Sequence, residues 1–169
     1  MPMLVHLTPE KNVPTIRRSG IAMSKWAGGV YATPVLPNFV VTHQWLRELK
    51  RSHVLTDGRS ARTMHGVYFR IADDEPVQFG RYNDPPVTLP AARAVGAFMA
   101  APDPLGFEIV VPRRITAKEI HRIRKLPQNM GWRYSPTNRT RWFCGCPMCN
   151  PSGGINARRK REQWEREGN

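Results

Sequence analysis

Hydrophobic and polar residues alternate with the two-residue period of β-strands in several short segments of the chain. Strands are predicted at residues 3–7, 30–33, 64–71 and 105–112, with a weaker candidate at residues 76–79. In the third segment Val67, Phe69 and Ile71 share one face, as expected of a half-buried strand. Residues 94–101 fit either a strand or a buried helical turn, and residues 120–126 fit either a helix or a strand.

The period of an amphipathic helix occurs in two further segments, residues 12–20 and 39–51. The second begins after an asparagine, a residue type that caps helices well. Within it Val41, Trp45 and Leu49 recur every four residues and are predicted to face the core. His43 and Lys50 then lie mostly outside the core.

The predicted strand at residues 105–112 carries the first candidate for chemistry. Its β-branched residues Ile109, Val110 and Val111 indicate a buried strand, and Glu108 stands at the start of that run. A carboxylate beside an apolar strand is costly unless it has partners or a task. Glu108 is therefore either a catalytic or ribose-binding group, or one half of a salt bridge to one of the many arginines.

The net charge of the chain indicates the kind of partner that it binds. The chain has 169 residues, with 26 Lys and Arg against 13 Asp and Glu, which gives a net charge of +13. Such an excess favours an anionic partner such as nucleic acid, although a basic solvated surface without a specific partner is the alternative. No apolar run is long enough to span a bilayer and no signal peptide is evident, so we expect no membrane partner and a cytoplasmic location.

Two further short motifs precede Glu108 in the chain. In His6-Leu7-Thr8 the outer two side chains share one strand face and can form directional hydrogen bonds, or they are a core histidine and a capping threonine. In Gly28-Gly29-Val30-Tyr31-Ala32-Thr33 a glycine loop leads to an aromatic ring. That motif offers backbone access and a stacking surface, or is an ordinary turn followed by a core tyrosine.

Taken together, these three motifs resemble the ADP-ribosyltransferase superfamily. The order His-x-Thr, Gly-Val-Tyr-Ala-Thr and Glu-Ile-Val-Val-Pro-x-x-Ile is similar to its His–Tyr–Glu branch, which includes diphtheria-type toxins and poly-ADP-ribose polymerases. The local sequences look nearest to bacterial DarT-like enzymes and to the related transferases that use NAD to remove a phosphate from tRNA. The resemblance covers roughly residues 4–120.

The resemblance implies a role for each matched residue. His6 and Thr8 would hold the ribose and amide side of NAD, Tyr31 would stack near the nicotinamide, and Glu108 would be the catalytic carboxylate. Gly29 and Thr33 complete the implied NAD-binding set. His6 and Tyr31 count with Glu108 among the implied catalytic residues.

Two features of the sequence choose among activities within that superfamily. Gly106 stands two residues before Glu108, where toxins that modify arginine usually carry an acidic or amide residue. The tRNA phosphotransferases use several arginines and no glutamate in the role of Glu108. Both observations favour an ADP-ribosyltransferase with a nucleic-acid acceptor.

A separate cysteine motif lies near the C-terminus, at Cys144, Cys146 and Cys149. Its Cys-x-x-Cys spacing can set thiolates around one tetrahedral ion, which predicts a zinc site whose fourth ligand comes from elsewhere, with His43, His53, His65 and His121 as candidates. Reduced thiols or an adventitious disulfide are the alternatives. A zinc knuckle among arginines and aromatic residues suits nucleic-acid contact.

These observations predict one α+β domain of the ADP-ribosyltransferase type, with two packed, mostly antiparallel sheets that form an NAD cleft. The catalytic part covers residues 1–126, and a basic Cys-rich extension with a charged tail covers residues 127–169. The expected activity is NAD-dependent mono-ADP-ribosylation of DNA or RNA, in a toxin or defence role, with a protein target or an antitoxin as further partners. The alternatives are a zinc-dependent nucleic-acid-binding protein without catalysis, an NAD-dependent tRNA phosphotransferase, and a protein-modifying ADP-ribosyltransferase.

Overall fold

A computed structural model describes residues 1–50, 63–82 and 84–128, together with residues 131, 162 and 166. The predicted metal ligands Cys144, Cys146 and Cys149 lie outside these described residues, as does nearly all of the 127–169 extension. The fold below is that of the described residues, nearly all of which belong to the predicted catalytic part.

Seven β-strands form one open sheet in which every neighbouring pair is antiparallel. The strands are β1 (Met3–Pro9), β2 (Val30–Pro34), β3 (Met64–Arg70), β4 (Pro76–Arg81), β5 (Val87–Pro90), β6 (Phe107–Val111) and β7 (Ile120–Lys125). Their order across the sheet is β5-β4-β6-β2-β1-β3-β7. With the helices described below, this is an α+β fold with antiparallel strands, as the sequence predicts.

The arrangement of the strands differs from the two packed sheets that the sequence led us to expect. The sheet is continuous because β1 pairs with β2 at Leu4–Pro34 and Val5–Thr33. This pairing joins the strands β5-β4-β6-β2 to the strands β1-β3-β7. We call Leu4, Val5, Thr33 and Pro34 the β1–β2 junction. By contrast, β1 pairs with β3 along its whole length, from Met3–Arg70 to Pro9–Met64.

Helices α1 (Val13–Ser19), α2 (Phe39–Thr42) and α3 (Ala91–Ala100) connect and cover the strands. Residues 46–50 are helical as well. The chain leaves α1 at Gly20, whose φ of 80° favours glycine, and a Cβ there would lie 2.0 Å from the Ile115 carbonyl oxygen. The structure also decides the two ambiguous segments, because residues 91–100 form a helix and residues 120–125 form an edge strand.

The predicted continuous helix at residues 39–51 is wrong in its middle. Residues 43–45 form a turn between two short helical pieces, and this turn changes which side chains face the core. His43 and Lys50, expected outside, are buried, whereas Trp45 is only partly buried. Lys50 Nζ donates to the Gln128 carbonyl oxygen at 3.2 Å, and burial lowers the pKa of Lys50 to about 8.

Apolar side chains cover both faces of the sheet. On one face Leu4, Phe69 and Ile109 pack with α1 and α3. On the other face Val5, Tyr68 and their neighbours pack against Leu46 and partly buried residues around it. The strands in the middle of the sheet thus have an apolar layer on each side, which holds the β1–β2 junction in place.

Candidate functional site

The site is built around the point where β1 and β2 separate. After the β1–β2 junction, β1 continues alongside β3, and the first half of β2 pairs with β6 from Val30–Val111 to Ala32–Ile109. Beyond the junction, a side chain bridges the two strands: His6 Nδ1 lies 2.8 Å from the Tyr31 carbonyl oxygen.

That hydrogen bond determines the tautomer of His6. A carbonyl oxygen can only accept, so Nδ1 carries the hydrogen and donates it to Tyr31. Burial lowers the pKa of His6, which keeps the imidazole neutral at pH 7. The Nε2 atom is then left with a lone pair that can accept a hydrogen bond from a ligand.

Tyr31 and Glu108 lie on the same face of the sheet. Tyr31 is paired with Val110, and Glu108 is two residues from Val110, so the two side chains are diagonal neighbours. The Tyr31 side chain is 38% exposed. Burial first, and then the charges of Glu108 and Tyr82, raise the pKa of the Tyr31 phenol, so it stays protonated and can donate a hydrogen bond.

Glu108 is half-buried, and burial raises its pKa to about 7. None of the described side chains forms an ion pair or a hydrogen bond with its carboxylate. The register explains why: the facing residue on β4 is Gly80, which has no side chain. The next residue, Arg81, is paired with Phe107 and contacts Asp103 at 3.4 Å instead.

A polar clamp fixes the start of the strand that carries Glu108. The side-chain oxygen of Gln44 accepts from the backbone nitrogen of Gly106 at 2.6 Å, and its nitrogen donates to the Pro104 carbonyl at 3.2 Å. Trp45 Nε1 donates to the Phe107 carbonyl at 3.0 Å. Gly106 itself has a φ of 87°, which a residue with a side chain adopts only at a cost.

The sequence did not reveal the residues of this clamp. Gln44 is fully buried. The ring of Trp45 lies 5.5 Å from the ring of Tyr82, whose charge contributes to the raised pKa of Tyr31. Gln44 and Trp45 are about sixty residues from the strand that they hold, so no local pattern connects them with Glu108. The one available signal was a polar residue in the middle of an apolar helical segment, Gln44, which needs partners when buried.

Thr8 and Thr33, the two threonines implied in NAD binding, are buried and take part in internal hydrogen bonds. Thr8 Oγ1 accepts from Asn12 Nδ2 at 3.2 Å, and Thr33 Oγ1 donates to the Thr42 carbonyl at 2.6 Å. Both hydroxyls therefore position β1 and β2 in this structure.

Gly29 is explained by packing. A Cβ at this position would lie 2.5 Å from the Val111 carbonyl oxygen and 2.6 Å from a methyl group of Val110. The close approach of β2 to β6 therefore requires glycine here, whether or not a ligand is bound.

The structure thus brings the predicted residues together only in part. Tyr31 and Glu108 meet through their side chains. His6 lies on the opposite face of the sheet. Its neighbour Val5 pairs with Thr33, which shares a face with Tyr31, so strand alternation points the His6 side chain the other way and joins it to Tyr31 only through the Tyr31 carbonyl.

Neither a metal site nor a membrane span is found in the part of the chain that the structure describes. No cluster of three or more His, Cys, Asp and Glu side chains is placed there to hold a metal ion. No described helix is long and apolar enough to cross a bilayer.

Comparisons of the chain with protein-family models, with curated proteins and with solved structures found no match. The chemistry of the site therefore rests on its own geometry. That geometry is a half-buried carboxylate that has no counter-ion among the described residues, an exposed phenol ring beside it, and a neutral imidazole that binds the backbone of the same tyrosine from the other face.

Proposed function

We propose that this protein is an NAD-dependent mono-ADP-ribosyltransferase that transfers ADP-ribose to a nucleic acid. The observation that carries the proposal is Glu108, a half-buried carboxylate with no counter-ion in the described part of the chain, beside the exposed ring of Tyr31. The resemblance of the three motifs to the His–Tyr–Glu branch supports the choice of NAD. The net charge of +13 supports the choice of acceptor.

The proposed reaction breaks the bond between C1′ of the ribose and the nicotinamide nitrogen. The bonding electrons stay on that nitrogen, so nicotinamide leaves neutral and a positive, oxocarbenium-like charge develops on the sugar. A hydroxyl, amine or ring nitrogen of the acceptor then bonds to C1′ and loses its proton to solvent. The products are ADP-ribosylated acceptor, nicotinamide and one proton.

Glu108 would act on the charge that develops in this step. A carboxylate with no cation of its own can attract the positive sugar without first breaking an existing ion pair. The same carboxylate can accept a hydrogen bond from a ribose hydroxyl, as carboxylates do in glycoside hydrolysis. Because a positive pyridinium favours the ionised form, binding of NAD would lower the raised pKa of Glu108 and release its proton.

Tyr31 would hold the nicotinamide end of the reacting bond, and His6 would position Tyr31. The 38%-exposed ring of Tyr31 offers a surface on which a pyridinium can stack, with additional attraction between the cation and the ring face. His6 would act through its hydrogen bond to the Tyr31 carbonyl, which fixes the Tyr31 ring on the face of the sheet that also carries Glu108. Trp45 and Tyr82 would border the same face.

The test is incubation of the full-length protein with NAD labelled in its adenylate part and with single-stranded DNA, duplex DNA, RNA and protein in separate reactions. We expect label on a nucleic acid and release of nicotinamide, both lost in Glu108→Gln. Glu119→Gln is the matched control, because Glu119 is bound by Arg113 away from Tyr31.

Three results would overturn parts of this proposal. Label on protein alone would leave the enzyme but exclude the nucleic-acid acceptor. Removal of a 2′-phosphate from RNA would point to the phosphotransferase. Absence of both label and nicotinamide release would exclude the enzyme.

A further inference from the structure

The edge of the sheet formed by β7 carries a groove whose polar lining is basic. The groove has a volume of about 240 Å³ and is lined by Arg17, Ala117, Ile120, His121, Arg122 and Ile123. We call these six residues the basic groove. It contains no acidic residue, and its two arginines come from different elements, since Arg17 lies on α1 and Arg122 on β7.

A β-bulge shapes this groove. Phe69 of β3 pairs with Ile120, but the next residue, Tyr68, pairs with Arg122, so His121 is the extra residue on β7. Bulges turn a side chain out of the regular strand alternation, and they occur often at sheet edges and near functional sites. His121 is exposed at this bulge and lines the groove together with Arg17, on the face covered by α1, and Arg122, whose guanidinium lies over Tyr68 on the other face, so the groove follows the edge of the sheet.

Further positive charges continue from the groove along both elements. Arg18 follows on α1, Lys118 precedes the strand, and Arg124 and Lys125 follow on β7, and all four are exposed. Arg122 and Arg124 stand two residues apart on one face, about 7 Å along the strand. Among the described residues none of these side chains has an acidic partner, whereas Arg113 and Arg81 do.

The shape and chemistry of this surface distinguish among anionic partners. A membrane surface would require apolar anchors, but the exposed large apolar side chains among the described residues lie elsewhere, at Met1, Met23, Trp26, Tyr31, Phe39, Val40, Tyr82, Val87 and Met99. An acidic peptide that adds a strand would need a regular edge, which the bulge interrupts. Arginines placed at repeated intervals match the repeated charges of a phosphate backbone, which arginine can bind in a bidentate manner.

We infer that the basic groove and the cations of β7 beside it bind the phosphate backbone of a single-stranded nucleic acid. The choice of nucleic acid as the partner rests on the proposed function, whereas the place of binding rests on the groove. Glu108 and Arg122 lie on strands β6 and β7, which are separated by three strands, or roughly 19 Å between the two strand axes. The groove would thus hold the acceptor strand a few nucleotides away from the reacting sugar.

The experiment measures binding of fluorescently labelled single-stranded DNA and RNA to the full-length protein over a range of salt concentrations. The test variant is Arg17→Gln with Arg122→Gln, and the matched control is Arg93→Gln. Arg93 is an exposed arginine on α3, the helix that packs against β4 and β5 at the other end of the sheet.

Loss of two phosphate contacts should lower the slope of log K against log salt by about 1.4, at about 0.7 per phosphate for single strands. Affinity at low salt should fall about tenfold in the double variant and less than twofold in the control. The guanidinium of Arg122 lies 5.4 Å from the ring centre of Tyr68, so its replacement also removes a contact with the folded core. The second variant is therefore Arg17→Gln alone. It should lower the slope by about 0.7 without loss of folded structure.

Equal binding by the double variant and the control would overturn the inference. So would equal affinity for acidic vesicles or for polyglutamate at the same salt concentration. Failure of the groove and failure of the enzyme are distinguishable by hydrolysis of NAD, in which water replaces the acceptor at C1′ and ADP-ribose, nicotinamide and a proton are released. This release of nicotinamide should persist in the groove variants. It should disappear in Glu108→Gln, which should still bind nucleic acid.

Discussion

The carboxylates of Glu75 and Glu119 are paired with an arginine, whereas the carboxylate of Glu108 is half-buried beside an apolar strand. Glu75 and Glu119 both bind Arg113, at 2.7 and 2.6 Å, in what we call the Arg113 cluster. Hydrogen bonds from Arg113, together with those from Thr116, hold the pKa of Glu119 at about 2. Glu108 has no such partner among the residues that the structure describes, and burial raises its pKa to about 7. The two pKa values differ because hydrogen bonds to a cation favour the charged form of an acid, whereas desolvation disfavours it.

The contrast bears on how a carboxylate in a basic protein should be interpreted. With twice as many basic as acidic residues, a salt bridge was an even alternative for Glu108. In the described part of the chain it has none, since it faces a glycine on the neighbouring strand while Arg81 is turned toward Asp103. Whether this carboxylate is paired is therefore decided by its place in the sheet and not by the number of arginines in the chain. Carboxylates with raised pKa values at such places are often functional.

The sharpest test of the comparison exchanges each acid for its amide. Glu108→Gln should lower the rate of nicotinamide release by roughly 100- to 1,000-fold, the usual effect of removing one electrostatic stabiliser of a transition state. Glu119→Gln should change that rate less than threefold. Rates are compared at saturating NAD in the absence of acceptor. Equal loss in both variants would mean that Glu108 has no special role.

Removal of Arg113 should affect stability without affecting chemistry. Arg113→Gln leaves Glu75 and Glu119 without their cation, but all three side chains retain some exposure, at 39% for Arg113, 16% for Glu75 and 25% for Glu119. Allowing for screening by solvent, we expect a loss of about 1–3 kcal/mol in the free energy of unfolding. That corresponds to a fall of about 3–10 °C in melting temperature, with Arg93→Gln as the control. An unchanged melting temperature would show that the cluster is only a surface contact.

The two acids should also respond to pH with opposite signs. The pKa of Glu108 is raised from 4.5 to about 7 in the folded state, so acidification from above pH 7 to about 4.5 should increase stability. The pKa of Glu119 is lowered from 4.5 to about 2, so its contribution is present above pH 4.5 and is lost as the pH falls toward 2.

Unfolding curves of the wild type, Glu108→Gln and Glu119→Gln at several pH values separate these contributions, because other groups cancel in the difference. The first variant should lack the increase between pH 7 and 4.5, and the second the loss below 4.5. The same raised pKa predicts that kcat/KM for NAD rises with pH through about 7 in the wild type. A flat profile across that range would count against ionised Glu108 as the active form.

The smallest effect is expected at Tyr31, where the ring and the hydroxyl have separate tasks. Tyr31→Ala removes the stacking surface and should raise KM for NAD about tenfold, by analogy with stacking of bases on aromatic rings. Tyr31→Phe keeps the ring and should change KM less than about threefold. Because Tyr31 is 38% exposed, neither change should lower stability much, and circular dichroism checks that point. A larger loss in Tyr31→Phe would mean that the phenol donates an essential hydrogen bond.

Local patterns predicted much of the fold. β1, β2, β3 and β6 lie where residues alternate or where β-branched residues cluster, and α1 ends at Gly20 as predicted. The prediction failed at residues 43–45, because a period-four pattern cannot reveal a turn that is stabilised by distant partners. There His43 donates to the Phe39 carbonyl and accepts from the hydroxyl of Tyr68, each at 2.8 Å, and Gln44 holds Gly106.

Local residue order was sufficient to predict the strand that carries Glu108 and the tyrosine that follows a glycine loop, and composition was sufficient to predict the excess of positive charge. Tertiary structure decided the rest. Pairing of β2 with β6 put Tyr31 beside Glu108, and separation of β1 from β2 let His6 bond to the Tyr31 carbonyl. The same structure left Glu108 facing a glycine, and a bulge opened a groove beside β7. Strand order, register and burial set the pKa of each group, and they arise from contacts between residues far apart in the chain.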